Sequence, residues 1–185
     1  MSLRVIAGSA KGMRLKTLPG NATRPITDRV KENLFNILGG DVIDSTWWDI
    51  FGGTGAVGIE ALSRGASFVR FTERSRAAVQ IIRENLSHCH LDDRAEIRRG
   101  DAFTFLESTP DARFDYLYIA PPQYKGMWAR ALHLLDSIPG WLSKDAWVIA
   151  QIHPREYEDL PLQTLQKFDE RKYGSTLLVF YQLAQ

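Results

Sequence analysis

The chain has 185 residues, 44% hydrophobic and 24% charged, which is enough to bury a core as one domain and leaves no apolar run of membrane-spanning length. A single cysteine, Cys89, excludes an internal disulfide and fits a reducing compartment, where it reads as a semi-buried structural thiol. The net charge of +1 hides a segregation, because residues 1–31 carry seven basic side chains against the single acid Asp28, making that arm +6 and the remainder −5; such a basic end points to a polyanion partner.

In chain order, LRVIAG and MRLKTLP, joined by SAKG, read as two short strands of a basic hairpin, followed by the loop GNATRP. The opening residues lack an apolar core, so no secretory signal and a cytoplasmic location are expected. A helix starts near Thr27, an N-cap residue with Asp28 in the first turn; Val30, Leu34 and Ile37 or Leu38 give it one apolar face, and Gly39-Gly40 ends it. From residue 44 strands and helices alternate. Strands are expected at 47–51, 67–73, 95–100, 114–119 and 146–152, with helices in AVGIEALSRG, SRAAVQIIRENLSH, FTFLEST and MWARALHLLDSI. Val79, Ile82 and Leu86 line one face of the second of these. The alternation implies a parallel sheet covered on both faces, and LQTLQKFDERKYGSTLLVFYQL closes it as an antiparallel hairpin. One domain over 1–185 is expected, with hairpin and loop at 1–25 and a catalytic core at 26–185. A monomer is expected. Trp47, Trp48, Trp141 and Trp147 read as packing residues, and His88, His90, His133 and His153 lack metal-ligand spacing, so no metal is assigned.

Chemistry concentrates at three turns. Gly53, Gly55 and Gly58 spell G-x-G-x-x-G directly after a strand and opening a helix. Glu73 follows 18 residues after Gly55, at the end of the next strand, where a carboxylate can grip ribose hydroxyls. Asp49 selects among adenosine-type cofactors: opposite charges about 5 Å apart attract by roughly 3 kcal/mol at an effective dielectric of about 20, and like charges repel as much. A pyrophosphate is therefore disfavoured, NAD with it, and the cationic S-adenosylmethionine (SAM) is favoured. Asp101, beside Ala102, either accepts from an adenine amine or caps the following helix. In IAPPQYKG, two prolines stop the strand FDYLYI and force a turn at its carboxyl end.

Taken together, these features resemble a Rossmann-type SAM-dependent methyltransferase acting on amino nitrogens. RVIAGSAKGMRLKTLPG, TRPITDRVKENLFNIL, GIEALSRGA and RKYGSTLLVFYQ, spread over nearly the whole chain, resemble the RsmD family, which methylates the N2 amine of one guanine in bacterial 16S ribosomal RNA. The resemblance implies a seven-stranded sheet of order 3-2-1-4-5-7-6 with the last strand antiparallel. It also implies a SAM site at Asp49, Phe51, Gly53, Gly55, Glu73, Arg74, Asp101 and Ala102. In the wider class an Asp/Asn-Pro-Pro-Tyr/Phe turn holds the amine, and this sequence departs from it twice. Ala120 replaces the acid or amide, and Gln123 displaces the aromatic to Tyr124. The amine would then be held by backbone carbonyls around Ala120, Pro121 and Pro122, helped by Gln123, with Tyr124 stacked on the base for about 1–3 kcal/mol. Lys11, Arg14, Lys16, Arg24 and Arg29 are the candidates for RNA phosphates, in 16S rRNA or an assembling small subunit, with Arg24 and Pro25 meeting the active site. Ala120 leaves open a non-catalytic RNA-binding protein, and the turn by itself would also suit adenine N6 or a protein glutamine.

Overall fold

The structure, a computed structural model, describes residues 3–19 and 25–185. Two short strands, β1 (Leu3–Arg4) and β2 (Arg14–Leu15), pair antiparallel as the expected hairpin. The central sheet contains β3 (Thr46–Asp49), β4 (Phe68–Glu73), β5 (Ala95–Arg99), β6 (Phe114–Ile119), β7 (Leu142–Ile152), β8 (Leu165–Tyr173) and β9 (Thr176–Leu183). Its order is β5-β4-β3-β6-β7-β9-β8, which is 3-2-1-4-5-7-6 when its strands are counted along the chain. All pairs are parallel except those of β9, which runs against both β7 and β8. β7 starts at Leu142 rather than near 146, and a register shift between Phe114 and Tyr116 of β6 absorbs the additional stretch, whose Lys144 and Asp145 are exposed.

Among the described residues five α-helices cover the sheet: α1 (Asp28–Leu38), α2 (Ala56–Ser63), α3 (Arg76–His88), α4 (Ala102–Glu107) and α5 (Met127–Ser137). Alternate residues of a strand point to opposite faces, so neighbouring tryptophans of β3 serve two cores. Trp47 packs with the helices α1, α2 and α3, and Trp48 with α4 and α5. Both are fully buried, as is Trp141. Each indole N–H finds an acceptor, Ser45 Oγ at 2.9 Å, Thr72 Oγ1 at 2.8 Å and the Leu106 carbonyl at 3.2 Å respectively, which is the condition for burying that ring at little cost. Trp147 is half-buried. Helix ends follow the sequence signals: Thr27 Oγ1 accepts from the Val30 N–H, Ser75 Oγ from the Ala78 N–H, and Gly39 ends α1 at φ 58°.

The hairpin is bound tightly to α2. All eight residues of α2 are buried, so it has no solvent face of its own. Glu60 Oε1 and Oε2 accept from the backbone N–H groups of Ile6 (2.9 Å) and Ala7 (3.1 Å). Lys31 Nζ lies 3.2 Å from Glu60 Oε1 and donates to the Arg4 carbonyl, and Arg64 Nε donates to Glu60 Oε2 at 2.8 Å. Ser63 adds three contacts, its Oγ donating to the Ala7 carbonyl and accepting from the Ala10 N–H, its carbonyl accepting from Ser9. Lys31 is thus an internal ion-pair member, not part of a basic surface, and Arg4 is paired with Asp28 at 3.3 Å. The surface charge of the arm is correspondingly smaller than its composition implies. Cys89 is buried, and burial raises its thiol pKa.

Candidate active site

β3 and β6 lie side by side, and the helices that follow them pack on opposite faces of the sheet. Between their carboxyl ends the connections diverge, and a cleft of about 1110 Å³ opens at this switch point. One wall is the glycine loop. Gly53 and Gly55 have φ of 58° and 81°, the left-handed region that favours glycine. Gly58 is required for a different reason: a Cβ there would lie 2.3 Å from the Phe71 ring, so its absence sets how closely α2 approaches β4.

Glu73, at the end of β4, accepts from the Gly53 N–H at 2.8 Å and the Ser75 N–H at 2.9 Å, fixing the loop's lip while each oxygen keeps capacity for another donor. Asp49 ends β3 fully buried, and its Oδ1 has no hydrogen-bond partner among the described residues. Burial pushes its pKa well above the usual carboxylate range; the Gly58 backbone N–H opposes this, and the Glu73 charge adds to it. A buried acceptor without a donor, opening on a cleft, is suited to a ligand cation. Asp101 does what one of its two readings required, capping α4 by accepting from Phe103 N–H at 2.9 Å, and it also lines the cleft. Phe51, Arg74 and Ala102 line it as well.

The opposite wall belongs to the double-proline turn. Ala120 and Pro122 line the cleft, as do Lys125, Met127 and Arg130 beyond them. Pro121, Gln123 and Tyr124 stand outside the lining. Tyr124 is 61% exposed with φ 63°, its N–H donates to Glu156 Oε1 at 2.7 Å, and its ring lies 5.6 Å from that of His153. Glu156 Oε2 accepts from the His153 N–H, so one carboxylate ties the turn to the end of β7. Between the two walls Tyr118 donates its hydroxyl proton to Gln151 Oε1. Burial, with the Asp49 charge nearby, pushes the Tyr118 phenol well above its ordinary range and keeps that proton in place. Thr17, Leu18, Pro25 and Ile26 face the cleft from the hairpin side, so the arm reaches the site at Pro25; Arg24 lies outside the described residues.

The basic candidates spread outward from this wall. Lys11 is exposed in the hairpin turn and Arg29 in the first turn of α1. Arg14 and Lys16 share a recess of about 560 Å³ with Arg83 and His88 of α3. The Asn85 side chain accepts from the Lys16 N–H at 2.8 Å and donates to the carbonyls of Lys16 (3.1 Å) and Thr54 (3.0 Å), joining the arm to the glycine loop. No cluster of metal-ligating side chains occurs among the described residues, and no helix among them is long and apolar enough to cross a membrane.

Residues 3–182 match the family described as Conserved hypothetical protein 95. Over 151 residues the chain is 33% identical to Ribosomal RNA small subunit methyltransferase D of Escherichia coli strain K12, an alignment covering 80% of this chain and 74% of that one. The chain belongs to the RsmD family. It is also 37% identical over 183 residues to the putative rRNA methyltransferase YlbH of Bacillus subtilis, covering 97% and 98% of the two chains. Among solved structures, the putative methyltransferase yhhF of Escherichia coli superposes with a TM-score of 0.88 at 28% identity, over 99% of this chain and 98% of that chain. In this family member the glycine loop, Glu73, Asp101 and the proline turn converge on one cleft, as the motifs implied. Sequence reasoning missed Tyr118, Gln151, Lys125 and Arg130 in the lining and the anchoring role of Glu60. A polar Gln within the apolar strand AWVIAQI, near its carboxyl end, was the one available signal.

Proposed function

We propose that this RsmD-family protein transfers a methyl group from SAM to the exocyclic N2 amine of a guanine in bacterial 16S ribosomal RNA. The observation that carries the reading is the sharing of one cleft by a buried, unpartnered carboxylate and a double-proline turn, beside a basic hairpin. The names of the family's curated relatives as rRNA methyltransferases support it. When bound, SAM supplies an electrophilic methyl group: the amine lone pair forms the N–C bond as the C–S bond breaks, its electrons going to sulfur and the amine's surplus proton to water. Asp49 faces the cofactor's cationic end, Glu73 takes ribose hydroxyls, and Asp101 accepts from the adenine amine through the carboxylate capacity that capping leaves over. Phe51, Arg74 and Ala102 complete the wall around these groups. A backbone carbonyl of the turn at Ala120, which lines the cleft, accepts from the target amine and draws its nitrogen toward a pyramidal form, which needs only alignment to react. Lys11, Arg14, Lys16, Arg24 and Arg29 hold phosphates, and the target base is presented unstacked.

The test is isotope transfer. Labelled SAM is incubated with the protein and small subunits, or free 16S rRNA, from cells lacking it, and the product nucleoside is identified by mass spectrometry. N2-methylguanosine at one position is expected; no transfer, or label in an adenine or a protein, would overturn the reading.

A further inference from the structure

The double-proline turn lacks a side-chain acceptor at Ala120, yet the cleft does not lack one. β6 and β7 are parallel and register Tyr118 with Ile149 and Ile119 with Ala150. The next step along both strands places Ala120 beside Gln151, and side chains two apart share a face. Tyr118, Ala120 and Gln151 therefore look to the same side at the carboxyl ends of neighbouring strands, and all three line the cleft. Gln123, four residues before the start of α5, lies outside that lining.

We propose that Gln151 supplies the acceptor that Ala120 cannot, its Oε1 taking one N–H of the target amine while a backbone carbonyl of the turn takes the other. The amide oxygen has two lone pairs. One receives the Tyr118 hydroxyl, which sets which end of the carboxamide faces the phenol; the second remains for the substrate. Strands in a sheet are about 4.8 Å apart, so moving the acceptor from position 120 to position 151 shifts its anchor point by one strand. The longer glutamine stem has the reach to return its oxygen toward the space above Ala120. Gln151 is thereby a catalytic residue, and Tyr118 a positioning residue that acts through it.

This inference rests on the methyltransferase reading above, and its test separates the two. Single-turnover methylation of 16S rRNA at saturating SAM is compared among the wild type, Gln151→Ala, Tyr118→Phe, their double variant, and Gln151→Ala combined with Ala120→Asp. SAM affinity and melting temperature are measured for each. Gln151→Ala is expected to slow transfer on the order of 100-fold with SAM affinity within twofold of wild type. Ala120→Asp should recover at least about tenfold of that loss by restoring an acceptor one strand away. Tyr118→Phe should slow the wild type severalfold and have no further effect once Gln151 is alanine, since a residue acting through another loses its effect with it. A rate within threefold of wild type for Gln151→Ala, no recovery on adding Ala120→Asp, or additive effects of Tyr118→Phe would each overturn the assignment. An inactive wild type would instead remove the functional reading on which it rests.

Discussion

Replacing Glu60 with Gln removes one charge from the centre of the hairpin dock while changing volume little. Lys31 Nζ lies 3.2 Å from Glu60 Oε1, and both side chains are fully buried. At an effective dielectric of about 20 this pair attracts by about 5 kcal/mol. The lysine's alternative is to fold without its proton, which costs about 5 kcal/mol at pH 7 and about 2 kcal/mol at pH 9 for an ordinary lysine. The two routes agree at pH 7 and diverge above it. Already in the wild type, burial lowers the Lys31 pKa, opposed by the Glu60 charge and its hydrogen bond; in the variant the Glu60 charge, the larger of these, is gone. A folded-state pKa depressed below the unfolded value means the unfolded chain binds more protons, so stability rises with pH across the interval between the two. Glu60→Gln is therefore expected to lose about 3–5 kcal/mol at pH 7, and the gap to wild type should narrow by up to about 3 kcal/mol by pH 9. Urea unfolding followed by the fluorescence of the buried Trp47, Trp48 and Trp141 reads both quantities. Lys31→Met serves as the control, because it leaves Glu60 paired with Arg64 and two backbone N–H groups. A loss below about 1 kcal/mol, or a gap that does not change with pH, would refute the account of a buried, charge-dependent dock.

Asp49→Asn should stabilise the ligand-free protein and weaken SAM by about 3 kcal/mol, roughly 100-fold, in isothermal titration. Its sign follows from the raised carboxyl pKa: stability contributed by the protonated group is complete below the unfolded value and lost as pH rises through the folded one. Wild-type melting temperature should thus fall over that interval where the variant's does not, while SAM affinity in the wild type weakens as pH drops through it. Gly8 and Gly12 both have φ near +90°, but a Cβ at Gly8 would stand 1.8 Å from the Ser63 carbonyl oxygen whereas at Gly12 it meets nothing within 4 Å. Gly12→Ala should cost about 1–2 kcal/mol and Gly8→Ala about 3 kcal/mol or more; equal melting shifts would contradict the tight seating of the hairpin. Arg14→Ala with Lys16→Ala should flatten the slope of log affinity for rRNA against log salt by about 1.4–1.8, from about 0.7–0.9 per phosphate contact, and an unchanged slope would remove both from the phosphate contacts.

Strand positions, helix caps and the glycine loop were legible because each rests on local chemistry: apolar runs rich in β-formers, a hydroxyl before a helix, glycine where φ is positive; the strand order came only from the family resemblance. The position of Asp49 at the strand end beside that loop was legible too, whereas its burial with an unpartnered oxygen was not. Lys31 and Glu60 were not, because charged residues 29 positions apart read as surface until the fold brings them together inside. The extension of β7 back to Leu142 was hidden by Lys144 and Asp145, whose side chains sit in solvent while their backbone stays in the strand. At the amine-holding turn, the sequence displays its missing side chain plainly at Ala120. Its neighbour Gln151 on β7 is visible only once the register of two parallel strands is known.

Asn85 joins the arm and the glycine loop through a single side chain. Its carboxamide is shared between Lys16, on the chain leaving the hairpin, and the carbonyl of Thr54 inside the glycine loop. A bound RNA phosphate that moved the Lys16 backbone would, through Asn85, also pull on the Thr54 carbonyl. Whatever factor bound RNA applies to cofactor affinity through this side chain, bound cofactor must apply to RNA affinity in return.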